Sequence, residues 1–178
     1  MSMLHNIRLL LLALWLGAAI FFSAVVAPGV FRVIRPLNLP NGGEIAGAIV
    51  SRTLSFVNTS GFIISVLLLV TAFALKKRLG RLAFIFQIVL LLIVAVTTGL
   101  GEWVIAARMR GVRAAFNAPI DQISAADAGR IAFDALHGYS VAALSTAMSA
   151  ALLAILLMFY RSTTPGPGER QSGDHRKH

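Results

Sequence analysis

The sequence predicts an all-α integral membrane protein, an antiparallel four-helix bundle whose helices extend past the outer membrane interface. Three observations predict it. Hydrophobic residues make up 57% of the 178 residues and charged residues only 13%, with a mean hydropathy of +0.81. A soluble domain of this length cannot enclose that much apolar surface. Four runs approach or reach the length of about 20 apolar residues that a helix needs to cross the hydrocarbon. The link between the second and third runs, Lys76 to Arg81, is so short that those two spans form an antiparallel hairpin.

The first span runs from Leu9 to Ala27. Val25-Val26-Ala27 looks like a signal-peptidase site, but the apolar run exceeds the roughly 7–15 residues of a signal core. Pro28 would also follow the cut, so the span is read as retained. The second span runs from Phe56 to Leu75, the third from Leu82 to Leu100 and the fourth from Tyr139 to Tyr160; none contains Lys, Arg, Asp or Glu. Residues 44–55 read as helix leading into the second span. The third continues through Trp103, Ile105 and Met109 to about Val112. Ser124 with Asp127 three residues on is a capping-box pattern, which starts the last helix near Ala125. From there one helical stripe runs Asp127, Arg130, Asp134, His137, Val141, Leu144, Met148, Ala151, Ile155 and Met158, polar first and apolar after. Residues 1–160 are thus one transmembrane domain. Residues 161–178, rich in Pro, Gly and charge, read as a disordered cytoplasmic tail. Its His175 and His178 read as solvated rather than as metal ligands, for want of a third ligand.

The net charge is +9. The basic residues crowd the ends of apolar runs, where they face lipid phosphates, and no basic face with interleaved aromatics points to nucleic acid. Nine of the Lys and Arg fall at the N-terminus, the second loop and the tail, which four spans place on one side. Seven are spread over the longer loops of the other side, along with five of the seven acidic residues. The positive-inside rule then gives a multi-pass protein of the cell (inner) membrane with both termini cytoplasmic. There is no cysteine, which excludes disulfides and thiolate chemistry.

Ala13 and Gly17 in the first span, and Ala143, Ala147 and Ala151 in the fourth, are small residues spaced for close helix approach. With this topology the ionisable residues nearest the spans meet at the outer end: Arg32, Arg35, Arg52, Glu102, Arg108, Asp134 and His137, with Ser140 one turn below the histidine. Glu102 has no cation three or four residues away on its own helix, so a partner is expected from another helix, Arg32, Arg52 or His137. Pro28 removes a helix donor and frees the Ala24 carbonyl, which bends or ends the helix there. No paired carboxylates, nucleophile–base pair or phosphate loop emerges, so no catalytic set is expected. No metal site is expected. A haem would need a second membrane-level histidine; His5 lies on the opposite side and Met148 is a weak substitute, so no cofactor is expected.

"LWLGAAIFFSAVVAPGVFRVI", "EIAGAIVS", "VIAARMRGVR" and "FDALHGYS" together resemble the transmembrane protein 205-like family, a four-span domain of unknown function. The resemblance rests on Phe21 and Phe22, Ala27 and Pro28, Phe31 and Arg32, Ala46 and Gly47, and Phe133, Leu136, His137 and Ser140. Ala107 stands where the family tends to have proline. The resemblance implies the four-helix fold and weight on Pro28, Arg32, Arg113 and His137; Gly17 and Gly47 are read as structural. It implies no reaction.

Function is left between a structural ion network at the outer end and a polar, outward-facing site that binds a small molecule or ion. Transport or export of a small solute is an alternative, and an accessory subunit docking a larger membrane complex is another. The partners expected are the lipid bilayer, a small molecule or ion, and a second membrane protein or another copy of this chain.

Overall fold

Leu, Ile, Val and Ala fill the apolar runs, and with no water to serve their backbone groups such runs close their hydrogen bonds internally as helices. The computed structural model describes residues 3–74 and 81–163. The expected hairpin link, but for Arg81, and the tail beyond residue 163 lie outside the described residues. Helix α1 is Met3–Phe21, a π-helical turn follows at Phe22–Val26, and α2 is Ala27–Ile34. Helix α3 is Gly42–Ala74. Helix α4 is Arg81–Gly99, a second π-helical turn spans Leu100–Ala106, and α5 is Ala107–Ala114. Helix α6 is Ala128–Thr163. With their π turns these make four rods, each long and apolar enough to cross a membrane.

Cross-helix pairs fix the directions. Arg8 donates to the Leu68 carbonyl at 3.0 Å and Trp15 to the Val57 carbonyl at 2.9 Å. Numbers rise along α1 as they fall along α3, so the two are antiparallel. Ser55 bonds Glu102, and Phe73 packs edge-on against Phe84, which makes the second and third rods antiparallel as well. The rods close a ring: α1 packs on α3, α3 on α4, α4 on α6 and α6 on α1. One end carries the termini of the bundle. The other, the loop end, carries the 3₁₀ turn Arg35–Leu37, left-handed Asn38 (φ 48°) and the 115–127 connection.

Leu12, Leu68, Leu91 and Val94 are fully buried at the centre, against Ala147, Ala151 and Ala154 of α6. Those alanines, with Ala150, let α6 approach its neighbours closely. The outer faces expose Leu10, Leu14, Phe56, Val70, Leu82, Phe86, Leu153 and Phe159, as a surface solvated by lipid does.

Three local expectations are revised. Gly17 is exposed, with open space where a Cβ would stand. The tight approach is instead at Gly61, where a Cβ would lie 2.6 Å from the Trp15 ring. Arg8, read as a flanking charge, is only 2% exposed and turns into the bundle to reach Leu68. Helix α6 starts three residues later than the capping box suggested. Asp127, not Ser124, is the cap, its Oδ1 accepting from the N–H groups of Gly129 at 2.8 Å and Arg130 at 3.2 Å.

Candidate functional site: a groove at the loop end

Pro28 neither ends nor breaks the first rod. The turn before it widens, so that the Ala27 N–H reaches back to the Phe22 carbonyl, and α2 continues as helix. The change of course has a consequence for packing. Helix α1 lies on α6, but beyond the π turn α2 leans on α3. A groove is left between α2 and the first turns of α6.

The outer part of the groove is a cavity of about 630 Å³. Phe31, Ile34, Arg35 and Asn38 line one side, Ala46, Gly47 and Val50 of α3 the floor, and Met109, Arg130, Phe133, Asp134 and His137 the other side. A second cavity of about 310 Å³ lies deeper, between Phe22, Ala27 and Pro28 on one side and Ser140, Val141, Leu144 and Met148 on the other. Phe31, Val50 and His137 line both. The two are therefore one groove with His137 at the junction. Charged side chains line only the outer part; the deeper part has apolar walls and the hydroxyls of Ser23, Ser140 and Ser145. The Ser23 hydroxyl is committed to the Ala19 carbonyl at 2.9 Å.

Two ion pairs frame the mouth. Arg130 reaches Asp134 at 3.1 Å, one turn on, and also donates to the Ile120 carbonyl. Arg113 pairs with Glu44, tying α5 to α3, donates to the Ala118 carbonyl at 3.1 Å and lies over the Phe116 ring. Glu44 opens α3, where a carboxylate also suits the helix N-terminus.

The sequence candidates divide. Asp134, His137, Ser140 and Pro28 line the groove, and Gly47 lies in its floor. Arg32 is exposed and does not line the groove; it sits with Pro28, Phe31, Arg35 and Pro36 in an adjoining depression on α2. Arg52 and Arg108 are exposed and outside the groove. Arg113 braces the loops rather than lining the cavity.

Glu102 is buried in the second π turn, and its cross-helix partner is not a cation. Its Oε1 accepts from the Ser55 hydroxyl at 2.8 Å, while Oε2 is buried without a partner among the described residues. Gly101 beside it leaves room for Asn58, whose Nδ2 would lie 3.1 Å from a Cβ there. Ser55, Asn58 and Glu102 thus form a small polar nest between the second and third rods, apart from the groove. Arg35, placed with the outer-end cluster by topology, does line the groove; Asn38, Met109 and Ser55 were not singled out as site residues by the sequence. The helical stripe had placed Arg130, Asp134 and His137 on one face, and all three line the mouth.

One family, described as a domain of unknown function (DUF4149), matches residues 10–117, more than half of the chain. The matched stretch covers the first rod from residue 10 on and all of the second and third, and ends before α6. No curated protein and no solved structure matches.

Proposed function

The chain belongs to the DUF4149 family, a domain of unknown function, and from that premise we propose that it is a membrane-embedded binding protein which holds one small molecule in the loop-end groove. The shared lining of the two cavities carries this reading: His137 stands where a charged mouth meets an apolar interior. Both volumes fall within or near the roughly 300–1,000 Å³ of ligand pockets. Below Met148 the packed centre around Leu12, Leu91, Val94 and Ala151 fills the bundle, which favours a blind site over a conduit. The motifs around Pro28, Arg32 and His137 support a finer placement in the transmembrane protein 205-like family. The basic residues at the termini end support cytoplasmic termini and a groove that opens at the outer face of the cell membrane.

The test is native mass spectrometry of the full chain purified with its own lipids. The parent and Arg52→Ala, a change at an exposed site outside the groove, are expected to carry the same small-molecule adduct. His137→Ala is expected to lose it while melting like the parent. An adduct that survives in His137→Ala refutes the reading.

A further inference from the structure

We infer that the groove takes a single-chain amphipathic anion, one carboxylate or phosphate on one alkyl chain, which enters sideways from the surrounding lipid. This rests on the reading of the groove as a binding site and adds the chemical class of its ligand. Three observations carry it.

The first is the lateral opening. Val141 lines the deeper cavity yet is 53% exposed, and Ser145 and Ser23 on the two sides are exposed as well. Side chains that both line a cavity and face outward form its lip. This lip lies along the membrane-spanning part of α6, so the deeper cavity opens toward lipid. Its volume of about 310 Å³ stands at the small end of the range for ligand pockets, which suits one chain rather than two.

The second is the charge of the mouth. Asp134 is taken by Arg130. Arg35 lines the same cavity and has no carboxylate within ion-pair reach among the described residues. The amide of Asn38 and the imidazole of His137 line the same cavity. The charge left over at the mouth is positive, which matches an anion, and a guanidinium suits carboxylate and phosphate alike.

The third is the solvent. An alkyl chain that moves from bilayer into an apolar groove exchanges one apolar surrounding for another and gains little drive from it. The groove selects the shape of the chain, and the mouth supplies the preference. An uncharged molecule with the same chain is therefore a weak ligand.

Displacement of a dansyl-labelled undecanoate from the full chain in phosphatidylcholine nanodiscs tests this. The competitors are oleate, lysophosphatidylglycerol and oleyl alcohol. One or both anions are expected to compete at concentrations about tenfold below the alcohol, the effect of one close ion pair, and which of them wins tells carboxylate from phosphate. Arg35→Gln is expected to erase the gap between anion and alcohol. Val141→Trp is expected to abolish probe binding, with Ser145→Trp as a second plug on the same lip; all three positions are exposed, so the core is left alone. An alcohol that competes as well as both anions overturns the anion. Unchanged binding in both plugged variants overturns the sideways entry. A probe that never binds, while the His137-dependent adduct of the native preparation persists, sinks the amphipath and leaves the binding site standing; loss of both sinks the site as well.

Discussion

Gly61→Ala sets two opposed effects against each other at one atom. In a helix interior alanine is favoured over glycine by about 1 kcal/mol. At this position the new Cβ would stand 2.6 Å from Cε2 and Nε1 of the Trp15 ring. Trp15 is almost fully buried, and its indole N–H is bonded to the Val57 carbonyl at 2.9 Å, so it has little room to retreat. Overpacking of this kind costs about 1–3 kcal/mol. If the ring moves and its buried N–H loses the carbonyl, about 1–3 kcal/mol more is lost. The net destabilisation expected is about 0–2 kcal/mol if the indole keeps its carbonyl and about 1–5 kcal/mol if it loses it. The assay is equilibrium unfolding in mixed micelles followed by circular dichroism, run as a double-mutant cycle with Trp15→Leu. With the indole gone, Gly61→Ala is expected to become neutral or to stabilise by up to about 1 kcal/mol. Equal losses in both backgrounds would refute the argument, because the cost would then not lie in the contact with Trp15.

Three further outcomes are expected, two from the geometry and one from the distribution of Lys and Arg. Glu102→Gln is expected to stabilise the bundle by about 1–3 kcal/mol, since it keeps an oxygen for Ser55 and removes a buried carboxylate that no cation offsets; Ser55→Ala is expected to lose about 1.5–3 kcal/mol in the same unfolding assay. A Gln variant less stable than the parent would mean that a cation does reach Glu102. A reporter active only outside the cytoplasm is expected to be silent when fused after His178 and active when inserted after Asn117; the reverse pair would invert the proposed orientation.

Much of the fold was legible because the helices are simple. Uninterrupted apolar composition announces α3 and the long α6, and the extension of α3 back through residues 44–55 was readable from its helical pattern alone. The groove was half legible. The polar-to-apolar change along α6 put Asp134, His137 and Ser140 on the right face. What the sequence hid were contacts that depend on a partner helix. Arg8 counts as a flanking charge by position, yet a carbonyl of α3 draws it inside. Glu102 lacks a local cation, which foretold a partner from another helix but not that it would be a hydroxyl. Gly61 looks like any membrane glycine until Trp15 is laid against it.

The π turns act as a one-residue phase slip. Each residue advances an α-helix by about 100°, so one extra residue in a turn re-aims everything after it. On the third rod, buried Gln87, Val94 and Gly101 step by seven, which points to Arg108 next; Arg108 is exposed and Met109 lines the groove instead. On the first rod, Leu12, Ala19 and Val26 lead by the same step to Val33, which is 67% exposed, while its neighbour Ile34 lines the groove. Both slips occur on rods that run toward the loop end, and both lie just short of it. The lower bundle can thus keep the alignment that close packing demands, while the upper segments of the same two rods present a different set of side chains to the groove.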